Sequence, residues 1–227
     1  MNKTVKSILV FMFISLVSIP SFAQLTKEQE KERKEMSKMT KSELNAKASK
    51  VARKEAKRLK KEGWLVSPGG LPIDKQLDRS YNLQYEIDKN MMPKYIMAEG
   101  MSIGETYDAA KLQASEIAKQ NLAGQIQTEV TALIKTTLAN NELGQEQAAS
   151  ITEIVTASTN LISQSLGRTI PVVELYRVKP NKNKEVLVRL AYDTDTAMKV
   201  TKNIIKEELE KKGEDLHEQL DKIMGIK

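Results

Sequence analysis

The chain has no cysteine and only one histidine among its 227 residues. Without thiols there is no disulfide, no zinc–cysteine site and no thiolate nucleophile. One histidine excludes an H-E-x-x-H metal site, and His217 stands in the charged run EDLHEQLDK. That setting predicts a solvated side chain rather than a member of a serine triad or a metal site. Aromatics are scarce: six Tyr, three Phe and one Trp. Phe11, Phe13 and Phe22 all fall in the first 23 residues, so the rest of the chain has no Phe at all. No internal repeat is visible. The longest apolar run, Ile8 to Ile19, is 12 residues and too short to cross a bilayer comfortably.

That run has a meaning of its own. Lys3 and Lys6 precede it, Pro20 breaks it, and Ser21-Phe22-Ala23 places small residues at −3 and −1 of a cleavage point. Residues 1–23 therefore read as a secretory signal peptide cut between Ala23 and Gln24, with an uncleaved anchor as the alternative. No Cys follows, which excludes lipid attachment to a new N-terminal Cys. The expected location is the periplasm or the outer membrane's neighbourhood. Loss of Lys3 and Lys6 lowers the formal charge from +6 to +4. Residues 24–63 carry 14 Lys/Arg against 7 Asp/Glu, whereas residues 64–227 carry 20 against 23. The basic pI belongs to an arm; the body is slightly acidic.

Residues 24–43 are charged and nearly without apolar groups, which predicts a flexible or marginally helical segment. From Leu44, a stripe of Ala48, Val51, Ala52, Ala56 and Leu59 recurs at helical spacing and completes a basic arm over 24–62. Gly63 ends it. The stretch GWLVSPGGLPID then reads as a joint, with turn chemistry at Pro68-Gly69-Gly70, a helix start at Pro72 and Trp64 as packing anchor. Ile73, Leu77, Tyr81 and Tyr85 share one side of the next helix. PKYIMAEGMS (93–102) reads as a short strand, and Ser102-x-x-Glu105 as a capping box opening a long helix. Tyr107, Ala110, Ala114, Ala118, Leu122, Ile126, Val130 and Leu133 line that helix, which runs to residue 139. A turn at 140–144, a helix to Leu166 with Ala148, Ile151, Val155, Ser158 and Ile162 inward, and two β-rich runs follow. In the second run Val186, Val188, Leu190 and Tyr192 alternate with other residues, the period of a strand. Asp193 or Thr194 caps a last helix to Gly213, and residues 214–227 form a helical tail. The expected fold is α+β: an antiparallel sheet of about three strands over 63–213, with long helices on one face.

Some of these residues carry a resemblance. KYIMAEGMSIG, AAKLQASEIAKQNLAGQI, VVELYRV and EVLVRLAYD are similar to the envelope lipoprotein family named after a Helicobacter membrane-associated lipoprotein. They also resemble the N-terminal domain of the flagellar assembly protein FlgT. The shared pattern is a strand ending in glycine (Gly100), a helix with Ala110, Ala114, Ala118 and the pair Leu122-Ala123, then a hairpin over 170–193, about 105 residues in all. The resemblance implies an α+β domain of a Gram-negative envelope with no established catalytic residues. The lipobox Cys of that family is missing here.

The remaining motifs favour plain structural roles. Asp74 and Asp78 share a helix face, but Lys75 and Arg79 alternate with them, as on a solvated face. Asp193 and Asp195 bracket a helix start, where capping suffices. A carboxylate hydrolase on these pairs is the least favoured function. Gly100 to Gly104 lacks the spacing of a phosphate loop. The 24–62 arm has no interleaved aromatics for stacking bases, so nucleic acid is not expected as a partner, though weak contact with an anionic surface is. The expected function is a non-enzymatic, structural or interaction role in the envelope, with a protein partner or self-association, and no cofactor or metal. The alternative is a small-molecule or glycan module whose cleft is lined by Tyr107, Tyr176 and Tyr192.

Overall fold

A computed structural model describes residues 46–67, 69–213 and 215–225, together with Lys31, Lys34 and Lys38. The expected signal segment, the Ala23–Gln24 cleavage pair, most of the charged stretch after it and Pro68 lie outside the described residues. Contacts divide the chain into Met1–Ala46 and Lys47–Lys227. In the first unit Lys31, Lys34 and Lys38 are helical. The second unit is the body. It contains the helix expected as the last part of the arm and also the C-terminal tail.

The body runs α1 (Lys50–Lys61), β1 (Leu65–Val66), α2 (Ile73–Gln84), β2 (Tyr95–Gly104), α3 (Tyr107–Ala139), α4 (Gln145–Ala157), α5 (Thr159–Ser165), β3 (Ile170–Val178), β4 (Lys184–Asp193), α6 (Thr194–Lys212) and α7 (His217–Met224). The fold is α+β. Its sheet has four strands rather than about three, ordered β1-β3-β4-β2 and antiparallel throughout. The extra strand is the two-residue β1, in which Leu65 faces Tyr176 and Val66 faces Leu175. Two residues between Trp64 and a turn are too few to show strand alternation, so pairing with β3 alone makes them a strand.

Helices cover both faces of the sheet, not one. Strand alternation sends Val186, Val188, Leu190 and Tyr192 of β4, with Ile96 and Ala98 of β2, toward α3 and the helices that follow it. Val173 and Leu175 of β3 point the other way, into a smaller core with Ala48, Ala52, Ala56, Trp64, Ile73 and Leu77. An irregularity in β3 between Pro171 and Val173 lets Val172 and Val173 both be buried.

The long helix comes very close to the sheet. A Cβ added to Gly100 would stand 2.0 Å from the Ala114 carbonyl oxygen and 2.5 Å from the Ala118 nitrogen. Glycine on the strand and alanine every fourth residue on α3 are thus one device, which brings two backbones together. Gly100 lies in mid-strand rather than at its end. β2 continues to Gly104 because β4 pairs with it as far as Lys184. The expected capping box at Ser102 accordingly does not form: Ser102 is in the strand, its hydroxyl donates to Gln113, and Thr106 caps α3 by accepting from the Ala109 amide at 3.2 Å. At 33 residues, α3 is about 50 Å long. Ile134 faces inward where Leu133 was expected.

Further departures follow from the same packing. Val51 and Tyr85 are exposed, because Ala48, Ala52 and Ala56 alone carry α1 onto the body and α2 ends at Gln84. Pro72 is the N-cap of α2 rather than its first helical residue. The helix expected to reach Leu166 is broken at Ser158 into α4 and α5. Asp193 caps α6 through the Thr196 amide at 2.8 Å, and Gly213 ends that helix in the left-handed conformation. The tail docks through Leu220, Ile223 and Met224, while Lys202, only 8% exposed, and Lys206 both reach Asp221.

Candidate functional site

Three constellations hold the residues singled out by the sequence. The first surrounds Trp64, which is 4% exposed. It packs between α1 and α2, with Arg177 of β3 over its ring at 4.6 Å. Arg177 also hydrogen-bonds Glu185, which Lys179 reaches at 3.3 Å. Glu185 is itself buried, and the hydrogen bond from Arg177 holds its carboxyl below the usual range. A buried Trp with its ring covered by a paired Arg is a joint, and it leaves no open indole face for a ligand.

The second lies where α3 begins. The rings of Tyr107 and Tyr176 meet edge to face, 5.4 Å apart. Glu174 accepts hydrogen bonds from the Tyr107 hydroxyl, from Lys111 Nζ at 2.9 Å and from Ser67 Oγ at 3.3 Å. Its backbone amide donates to Gln76 of α2 at 2.7 Å, and Gln76 Nε2 donates in turn to the Leu71 carbonyl. Gln76, 6% exposed, thus occupies the edge of β3 beyond the reach of β1. Burial pushes the Glu174 carboxyl up, but the hydrogen bonds from Tyr107 and Lys111, with the lysine charge, pull it below its ordinary range. Burial and the Glu174 carboxylate together push the Tyr107 phenol up to about 12. At neutral pH Tyr107 is therefore a fixed donor, unsuited to proton transfer. A serine, a tyrosine and a lysine together would suggest chemistry, but all three donate to one carboxylate. The cluster ties the start of α3 to β3 and to the loop after β1.

Tyr192 belongs to neither group. It is buried in β4, and its hydroxyl accepts from the Gly167 amide at 3.4 Å. It is six positions along β4 from Val186, the partner of Tyr176, or roughly 20 Å. The three tyrosines do not line one cleft. Asp78 accepts from the Ser49 amide at 2.9 Å and so links α2 to the start of α1. His217 is half-buried rather than fully solvated, with Nε2 3.7 Å from Glu210. Among the described residues no group of three or more His, Asp or Glu could hold a metal ion. No described helix is long and apolar enough to cross a membrane.

The third constellation is a surface that periodicity does not reveal. Exposed apolar side chains occur at two places: Ile87, Met91 and Met92, then Met101 and Ile103. The first three sit on a short hairpin before β2. There Asp88 accepts from the amides of Asn90 and Met92, and Met91 has φ +63°. The hairpin continues into β2, the free edge of the sheet. On α1, a second exposed feature is the row Lys50, Lys54, Lys57 and Lys61, one helical face with Val51 beside it. The clustering of four methionines within 91–101 was the available signal for the first surface.

Compared with known proteins, the chain matches no family model, no curated protein and no solved structure.

Proposed function

We propose that this chain is an exported envelope protein, periplasmic or held near the outer membrane, with a non-enzymatic interaction role. The observation that carries the reading is a contrast in how side chains are used. Ser67, Tyr107 and Lys111, the nearest approach to a reactive set, donate to Glu174, while apolar groups stand exposed on the hairpin before β2 (Ile87, Met91, Met92) and on β2 itself (Met101, Ile103). Large apolar groups left exposed in this way suit a macromolecular partner. The signal-like segment 1–23 supports export, and the likeness of 95–193 to an envelope family supports the compartment. The lysine row on α1 adds weak, salt-sensitive contact with an anionic envelope surface. The small-molecule or glycan reading has less support, since its tyrosines are turned toward one another or buried apart.

The test is in-cell cross-linking and co-purification of the chain from Gln24, beside one starting at Lys47. The expected result is a discrete envelope partner retained by the shorter chain and lost on Met91→Lys/Met92→Lys substitution. Recovery of the processed protein from the cytoplasm would overturn the export reading. Capture that ignores those substitutions would overturn the assignment of this surface.

A further inference from the structure

β2 is the outer strand of the sheet, ten residues long, and no strand pairs with its outer edge. The direction of its backbone groups can be read from two contacts. The Lys94 carbonyl accepts from Thr194 on the β4 side, whereas the Glu99 carbonyl accepts from Asn121 Nδ2 at 2.7 Å on the open side. Alternation then points the amides and carbonyls of Tyr95, Met97, Glu99, Met101 and Ile103 outward. Natural edges are commonly blunted by lysine, proline or a bulge. The strand YIMAEGMSIG has neither lysine nor proline, and its register with β4 is unbroken. Its one charge, Glu99, is half exposed and is engaged by Arg189, whose Nε donates to the carboxylate at 2.7 Å while the same guanidinium donates to Ser80.

The two halves of this edge differ in shape. Tyr95 to Glu99 line a cleft of 390 Å³ between Gln84 of α2 and Gln125 and Glu129 of α3. Met101 and Ile103 stand proud, each about half exposed (48% and 49%). One half is recessed and the other protrudes, both on the same strand. We infer that β2 pairs antiparallel with β2 of a second copy about a two-fold axis at Gly100, making one eight-stranded sheet from two bodies.

In that register Met97 faces Ile103 of the other copy and Glu99 faces Met101, twice over. The protruding half of each strand enters the cleft of the other. No like charges come directly opposite one another; the two Glu99 carboxylates become diagonal neighbours across the axis, each held by its own Arg189, and the outward groups of residues 97, 99, 101 and 103 gain about eight backbone hydrogen bonds. An isologous contact of this kind closes on itself, so it stops at the dimer. Asn121, which satisfies the Glu99 carbonyl in the single chain, yields it to the Met101 amide of the second copy. The inference does not depend on export or on the envelope reading.

The experiment is sedimentation velocity of the chain from Gln24 up to about 1 mM, with hydrogen exchange at β2 followed over the same concentrations. A reversible dimer is expected, in which the amides of Met97, Glu99, Met101 and Ile103 become protected as it forms, while those of Ala98 and Ser102 are protected throughout. Met101→Lys/Ile103→Lys should weaken association at least about 100-fold without lowering the melting temperature measured at dilutions where the unaltered chain is monomeric, since both side chains are half exposed. A monomer at every concentration overturns the inference. So does a dimer whose odd-numbered β2 amides exchange as fast as in the monomer, because another surface must then join the copies. The exchange measurement on the unaltered chain decides the matter even if the double variant fails to fold. A monomer whose β2 amides become protected only on adding envelope extract would assign the edge to a foreign strand, and overturn the self-pairing.

Discussion

The two faces of the sheet are stabilised in different ways. On the α3 face, α3 to α7 bury a continuous apolar core in which Leu122, Ile126, Ile151, Ile162, Ile205, Leu209 and others are almost fully enclosed. On the other face, α1 and α2 bury a handful of residues around Trp64, and polar links do much of the fastening: Asp78 to the Ser49 amide, Gln76 to β3, and Arg177 to the Glu62 carbonyl. The first face is held mainly by transfer of side chains from water and by close packing. The second is a helix pair, α1 docking through alanines and α2 through Ile73 and Leu77, and it should open locally while the first persists. Exposed interaction groups lie where the second layer stops short, along β2.

The strongest way to break this comparison is at the place where backbone meets backbone. Gly100→Ala puts a methyl group into the backbone of α3, and neither side is a flexible chain end that can yield. A loss of about 3 kcal/mol or more is expected by urea unfolding, with both faces failing together. A loss under about 1 kcal/mol would mean that α3 does not lie this close to β2.

Paired truncations sharpen the contrast. Leu122→Ala, at 0% exposure on the α3 face, should cost about 3 to 4 kcal/mol of global stability. Leu77→Ala on the smaller face should cost about 2 to 3 kcal/mol, and much of its effect should be local. Trp64 reports this directly. Its buried indole should emit to the blue of free indole in water, and in Leu77→Ala the emission should move red at a lower urea concentration than the loss of helical circular dichroism. Coincident transitions would show a single cooperative unit.

The smallest effect is electrostatic. Glu174 and Glu185, on opposite faces, both titrate below the ordinary carboxylate value of 4.5 in the folded chain. A depressed folded pKa contributes stability that is fully present above the unfolded value and is lost as pH falls through the folded one. Stability should therefore be flat from these groups above about pH 5 and decline below about 4.5. Glu174→Gln should cost about 1 to 3 kcal/mol at pH 7, by weakening the bonds from Tyr107 and Lys111, and should make the acid limb shallower. An unchanged acid limb would mean that Glu174 is not the group titrating.

Much of the candidate surface was hidden from the sequence for a simple reason. Tyr107, Tyr176 and Tyr192 could be marked as aromatics worth following, but whether they share a cleft depends on register between strands far apart in the chain. The exposure of Met101 and Ile103 on β2 was equally out of reach, because both look like core residues until one sees that no layer covers them. Even the meaning of Gly100 changed, from strand end to contact point, once α3 was laid across it.

What the sequence determined by itself is local. The steps of three and four from Ala110 to Val130 make α3, the period of two from Val186 to Tyr192 makes β4, and Asp193 and Gly213 bound α6, because each rests on neighbours within one or two turns. Tertiary structure alone made Leu65–Val66 a strand, carried β2 past Ser102 to Gly104, put helices on both faces and left one edge open. Each of those outcomes depends on a partner segment dozens of residues away, and backbone hydrogen bonds to such a partner outweigh the weak local preference for a turn or a cap.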